Sequence, residues 1–512
     1  MMKTKIIFFT TLIVVLSSCL KDEGNYIYHD INEIKVTGIA SSYSMMIDLD
    51  TLEIDPVVTM TDGDIDDASR FEYMWLAVKA YQTKDTLAKT RKIKYNIKLK
   101  PDTYEFYLKI VDKQTGVTWS TSSKLVVGTP YTKGILLIGE NSQGNAQVQM
   151  LSMVNDTILF PDMLKDSGFP AVKDPIDVLH TGGSDSYVKI WVLTGSSAFS
   201  IDRLNQKCSA PNIFKNMVFT AEPITEELIP VTIAPRIKDK AGALPSNLYR
   251  AIICKNGYVF NTMFALNGGD YYTEPVNREA SNYSKLIKAR PEMFYGLTSW
   301  KGFLWYDKEG ERFMQVGAYT NVSNAITDLP GDIFPWNQMT LGRTLVYGEN
   351  TLNTDGGSTG GNSFAIMKDN NGKFYIYKFY VGTNLEKRGY YPVKDLAIDF
   401  ASADKYAFSS KRTVLFYTVG KDLYAYDYNQ GNEKCYKLDG FGDESISMIK
   451  FDTQIETSSN PLYIATYNNS GSGTLKKYFM GSSPDNVTLG VHPQSVWTGL
   501  VKITNMSWRA AK

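Results

Sequence analysis

Histidine is nearly missing from this chain: His29, His180 and His492 are the only three in 512 residues. Hydrolysis and metal binding near neutral pH lean on histidine as base or ligand. No two of these stand at metal-binding spacing, and HExxH does not occur. The serines after His180, in HTGGSDSY, form no G-x-S-x-G elbow. Cysteine is scarce as well. Apart from Cys19, the residues Cys208, Cys254 and Cys435 form an odd set without paired spacing, which excludes a disulfide framework and a cysteine-rich zinc site. At most one bridge among them is allowed. Net charge is absent, with 54 basic against 54 acidic residues and no dense Lys/Arg run, so nucleic acid is not an expected partner. The glycine-rich DGGSTGGNS (Asp355 to Ser363) lacks the lysine and following helix of a phosphate loop, and reads as a flexible inter-strand loop. No cofactor is expected. The most apolar stretch, Ile6 to Leu16, falls short of the roughly 20 residues that span a bilayer.

That stretch follows Lys3 and Lys5 and ends in Leu16-Ser17-Ser18-Cys19. A short basic region, an apolar run and small residues make a signal peptide over residues 1–18. The tetrapeptide resembles the lipobox of bacterial lipoproteins. The resemblance implies that Cys19 is lipidated and becomes the mature N-terminus. Two or more acyl chains suffice for stable anchoring. The next residues, Lys21-Asp22-Glu23, resemble the acidic export signal of surface lipoproteins in Bacteroidota. They imply an outer-membrane protein facing the cell exterior, with residues 19–33 as its tether.

Tyrosine (33 residues) and phenylalanine (24) are abundant and favour strands. FEYMWLAVKA (Phe71 to Ala80) and YEFYLKIVD (Tyr104 to Asp112) alternate large apolar with polar residues, the period of strands with one buried face. Short strands about ten residues apart, broken by TDGDIDD and KPDT, predict a β-sandwich over residues 34–128, with Trp75 between its sheets. The pattern resembles PKD and related immunoglobulin-like domains, although the W-D-F-G-D-G hallmark is absent. Within TDGDIDD, Asp62, Asp64 and Asp66 are spaced as in calcium loops. An EF-hand would have glycine at Asp67 and glutamate at Tyr73, so the segment reads as a solvated turn.

From residue 131 to 512 the texture changes. KGILLIGE, VKIWVLTG, LYRAIICKNGYVF, GFLWYDKEGERFMQVG, SFAIMKDNNGKFYIYKF, TVLFYTVGKDLYAYDY and PLYIATYNNSGSGTLKKYF recur without a long amphipathic helix between them. Most pair an apolar strand with an aromatic one across a Gly/Asn/Asp turn. A lone hairpin is marginal, so repeated hairpins must share a core, and repetition about an axis achieves this while leaving few exposed edges. The expectation is an all-β chain whose second part is a β-propeller of about seven blades, closed by a strand from QSVWTGLVKITNMSW (Gln494 to Trp508). Two further sandwiches are the alternative.

Taken together, CLKDEGNYIYHDINEI (Cys19 to Ile34), the sandwich around Trp75 and the repeats from KGILLIGE onward resemble the PKD-like lipoproteins of Bacteroidota. That resemblance implies an accessory lipoprotein working with a SusC-like TonB-dependent barrel and a SusD-like lipoprotein, with glycan or oligopeptide as cargo. It transfers no catalytic motif.

Two aromatic loops are the binding candidates among the residues themselves. LNGGDYYTEPVNREASNY carries Asp270, Tyr271, Tyr272 and Arg278, and IFPWNQM carries Trp336 and Asn337. Flat rings beside amides suit sugars or extended peptides, and the alternative is that Trp336 and the tyrosines pack under their own loops. The alternative function is a surface hydrolase or lyase that acts on glycans through carboxylates on a propeller face.

Overall fold

The computed structural model describes residues 32–79, 84–154, 156–181, 188–267, 269–279 and 282–511. The signal-peptide segment, Cys19, His29 and the tether as far as residue 31 lie outside the described residues. The chain divides into two compact units at Gly128/Thr129.

In the first unit, Phe71–Val78 buries Phe71, Tyr73, Trp75 and Ala77, every second residue, on its inner face. It pairs antiparallel with Asp102–Asp112, which pairs with Thr118–Gly128, and the strands Lys84–Ala88 and Ser42–Met46 complete a five-stranded sheet. Two short ladders, Ile34–Thr37 with Val57–Met60 and Thr51–Ile54 with Ile93–Asn96, supply the opposing layer. Trp75 fills the space between the layers. Its ring stacks on Phe106 at 5.2 Å, and its indole N–H donates to the carbonyls of Thr90 (3.1 Å) and Arg91 (3.2 Å).

The second unit is a seven-bladed propeller. Its blades are antiparallel sheets of three or four strands, and each begins with an inner strand: Pro175–Thr181, Pro230–Ala234, Ala289–Phe294, Arg343–Asn350, Lys405–Phe408 and Ser445–Phe451 for blades 2 to 7. Blade 1 draws its inner strand from the end of the chain, since Lys502–Arg509 pairs with Gly134–Glu140. The predicted closing segment is thus shared: Leu489–Leu500 is the outer strand of blade 7, and the part after Val501 closes the ring.

The blades hold together through their middle strands, which are apolar on both faces. In Lys189–Thr194, Ile190 and Val192 pack against blade 1, while Trp191 and Leu193 pack against blade 3. The same division recurs around the ring, with a separate hydrophobic cluster between each pair of neighbouring blades and the last between blades 7 and 1. Each of the seven repeated sequence segments supplies the strand next to the inner strand of one blade, and five of them supply the following strand as well.

DGGSTGGNS connects Arg343–Asn350 to Asn362–Asp369, and part of it is packed inside the blade. Ser358, Asn362 and Ser363 are fully buried. Ser358 donates to Asn362 Oδ1 at 2.6 Å, and Asn362 Nδ2 donates to Asn353 Oδ1 at 2.7 Å. Gly361 has φ +90°, and a Cβ there would lie 2.1 Å from the Thr351 carbonyl oxygen, so glycine is needed for close backbone approach.

Candidate functional site

The inner strands are where the sequence departs from apolar packing. Their axis-facing residues surround a channel of about 480 Å³ to which all seven blades contribute. The polar walls include Asp177 from blade 2, Arg236 just after the inner strand of blade 3, Glu292 from blade 4, Glu349 from blade 5, Lys405 from blade 6, Lys450 from blade 7 and Asn505 from the closing strand. Tyr295, Tyr347 and Tyr406 add aromatic surface.

Several of these groups hold one another in place. Arg236 Nη2 pairs with Asp177 Oδ2. Asn350 is held by three hydrogen bonds: its oxygen accepts from the Tyr295 amide (3.0 Å) and Ser363 Oγ (2.7 Å), and its nitrogen donates to the Met293 carbonyl (2.8 Å). Lys450 Nζ donates to Asn505 Oδ1 at 2.8 Å and to the Met506 carbonyl at 2.7 Å. Glu349 Oε2 accepts from the Phe408 amide at 2.8 Å and from the Tyr347 hydroxyl at 3.2 Å.

Glu349 and Lys450 border open channel space but sit deep within the ring, where water is too sparse to solvate a full charge. Burial pushes Glu349 up to about 7, against the opposing pull of the Phe408 amide, the Tyr347 hydroxyl and the charge of Lys450. Burial likewise draws Lys450 down to about 7; Arg236 adds to this, and Asp177, Glu349 and Asp452 oppose it. One acid and one base therefore titrate near neutrality on the same channel wall system. No direct ion pair joins them among the described residues.

The loop residues singled out in the sequence have other surroundings. Asp270 is buried and ion-paired with the fully buried Arg250, which also lies over the Trp191 ring (5.5 Å) and the Phe264 ring (5.0 Å). Tyr272 is buried as well and donates to Asp270 Oδ1 at 3.0 Å. Between them Tyr271 is 47% exposed, edge-on to exposed Phe219 at 5.5 Å. Arg278 is half-buried and 3.4 Å from Glu274. Trp336 is buried among Phe313, Phe334 and Phe379, with the Lys387 ammonium 5.2 Å from its ring centre. Asn337 is exposed and accepts from the Met339 amide at 3.1 Å. The two loops thus leave Tyr271 and Asn337 exposed, while Tyr272, Phe334 and Trp336 pack at blade interfaces.

The remaining motif residues are equally occupied. His180 is buried; its Nδ1 accepts from the Ala510 amide at 3.3 Å. Burial, with Arg509 and Arg203 nearby, drives it down to about 3, so it stays neutral at physiological pH. His492 Nδ1 meets Ser495 Oγ at 3.0 Å. Asp62 and Asp66 pair with Arg70 (3.0 Å) and Arg91 (3.4 Å), and Asp64 accepts from the Asp66 amide. Cys208, Cys254 and Cys435 are free thiols, and burial raises Cys254 and Cys208. Among the described residues no cluster of His, Cys, Asp and Glu is fit to hold a metal ion, and no helix is long and apolar enough to cross a membrane.

Sequence reasoning missed the channel. Its residues lie in short strands of mixed polarity, such as PVTIA and ARPEMF, and only the position of each just before an apolar hairpin marks them.

No curated protein matches the chain. Among solved structures, a quinonprotein alcohol dehydrogenase-like protein of Bacteroides thetaiotaomicron is similar over 91% of this chain and 96% of its own, at 13% identity and TM-score 0.37. The extracellular domain of a hybrid two-component system from the same organism is similar over 92% and 70%, at 9% identity and TM-score 0.32. PorZ, a surface component of the type-IX secretion system of Porphyromonas gingivalis, is similar over 79% and 66%, at 9% identity and TM-score 0.24. At such scores these likenesses do not bear on function. One sequence relationship is more specific: residues 19–169, from the lipobox-like cysteine through the sandwich and the first three strands of the second unit, match the PKD-like family.

Proposed function

We propose that this chain is a surface-exposed, lipid-anchored outer-membrane protein that serves a SusC/SusD-type TonB-dependent importer as a non-enzymatic binding or accessory subunit, with glycan or oligopeptide as cargo. Its anchor is Cys19, and the PKD-like match begins at that same residue. The observation that carries the binding role is the axial channel, to which every blade contributes. Its volume falls within the roughly 300–1,000 Å³ of small-molecule sites. Paired charges and hydrogen-bonding groups line it. Such a lining suits recognition.

A tagged copy solubilised from its native membrane in mild detergent tests the importer role. Co-purification of a large barrel and its lid lipoprotein is expected. Recovery of the chain alone would overturn the association.

Glu349 favours a second reading. A carboxyl near neutrality within a channel is suited to general acid catalysis of glycoside cleavage. Incubation of purified protein with a glycan panel separates the two, since shortened products would establish a hydrolase or lyase.

A further inference from the structure

The channel lining holds polar atoms that the protein leaves unused. Asp177 is only 6% exposed, yet its Oδ1 has no hydrogen-bond partner, and neither has Nη1 of its ion-pair partner Arg236. Leaving a buried polar atom without a partner is unfavourable, so this pair of channel-lining residues keeps one acceptor and one donor that no protein atom satisfies. On blades 5 and 7, Glu349 and Lys450 repeat the combination. Only Oε2 of Glu349 receives protein hydrogen bonds, and Lys450 makes two of the three that an ammonium can donate. Lys450 is within electrostatic reach of Glu349, Asp177 and Arg236 together, so the two sets belong to one site.

The composition of these two sets constrains what fits. Each set combines an acid with a base, and an ion of either sign would upset that balance where solvation is poor. A hydroxyl both donates and accepts, and two adjacent hydroxyls match an acid–base pair: one donates to the carboxylate while the other accepts from the guanidinium or ammonium. Tyr347 and Tyr406, 5.2 Å apart, supply an aromatic wall for C–H faces.

We propose that the axial channel binds a neutral polyhydroxylated solute, a sugar of one or two rings, through Asp177 and Arg236 on blades 2 and 3 and Glu349 and Lys450 on blades 5 and 7. This deepens the binding-subunit reading by naming a ligand class for its channel, and it rests on that reading without requiring the importer.

Calorimetry with the purified chain at pH 7 tests it directly, using glucose, galactose, mannose, maltose, cellobiose and lactose as one arm and glycine, glutamate and dialanine as the other. At least one sugar is expected to bind, and Asp177→Asn, which swaps an acceptor oxygen for a donor, is expected to weaken it about tenfold or more, a loss of about 1.4 kcal/mol. Thr504 lines the channel and is exposed, so Thr504→Trp fills the space without disturbing a packed interface and should abolish binding even if Asp177→Asn folds poorly. Absence of sugar binding, binding of only the zwitterions, or sugar affinity unchanged by Thr504→Trp would each overturn the proposal. Loss of the importer in a pull-down would leave it standing, so the two failures are distinguishable.

Discussion

The Trp508 backbone amide donates to Gln454 Oε1 at 3.0 Å, so the last strand of the chain is fastened to blade 7 as well as to blade 1. The Trp508 indole N–H reaches the Lys240 carbonyl at 3.0 Å, and the ring is buried where blades 7 and 1 meet. Ring closure concentrates here. Trp508→Ala should cost about 3–5 kcal/mol, the range for buried tryptophan truncation, as measured by urea denaturation of the purified protein. A loss below about 1 kcal/mol would mean that closure does not depend on this contact.

Trp75 holds the equivalent place in the first unit, stacked on Phe106 and doubly hydrogen-bonded through its indole. Trp75→Ala should destabilise by a similar amount, about 3–5 kcal/mol. Hydrogen exchange can locate the effect. Amides of Phe71–Val78 and Asp102–Asp112 should lose protection while those of the blade middle strands keep theirs.

Gly302 opens the second strand of blade 4 with φ +99°, and a Cβ there would lie 2.3 Å from the Val316 carbonyl oxygen. Gly134, at φ +157°, opens the corresponding strand of blade 1 under the same restriction, with a Cβ 2.1 Å from the Leu151 carbonyl oxygen. Gly302→Ala should therefore destabilise by about 1–3 kcal/mol through backbone strain, readable as a lowered urea midpoint. An unchanged midpoint would show that the hairpin yields easily.

What the sequence disclosed follows from which residues do the packing. The middle strands of each blade are squeezed between two neighbours, so runs such as GFLWYD and TVLFYTV are apolar throughout and stand out. Sandwich strands with one wet face alternate, and Trp75 was placed correctly between the layers for that reason. The inner strands answer to a polar channel on one side and packing on the other, so Pro230–Ala234 and Lys405–Phe408 are short and irregular, and Asp177, Arg236, Glu349 and Lys450 come together only once the ring exists. The two loops containing Trp336 and Tyr272 are ambiguous in sequence. Aromatic residues beside polar ones read either as a binding surface or as rings packed under their own loops, and both rings are in fact buried at blade interfaces by contacts with residues distant in sequence.

Glu349 and Lys450 predict an uncommon pH profile. The folded-state value of Glu349 is raised from 4.5 to about 7, so its contribution to stability is full below about 4.5 and is lost as pH rises through about 7. Lys450 is lowered from 10.5 to about 7, so its contribution is full above about 10.5 and is lost as pH falls toward about 7. Between them these groups place a shallow stability minimum near neutrality. Urea midpoints measured from pH 5 to 9 should show it. Glu349→Gln should remove the descending limb below neutrality, and Lys450→Met the ascending limb above it. A profile unchanged by both substitutions would mean that neither group is shifted.

Mass spectrometry of the N-terminal peptide from protein purified out of its native membrane tests most directly that a lipid at residue 19 tethers this β body to the cell surface. The predicted result is a chain that begins at Cys19 and carries a thioether-linked diacylglycerol and an acylated amine. A free thiol at Cys19, in a chain that still retains residues 1–18, would contradict it.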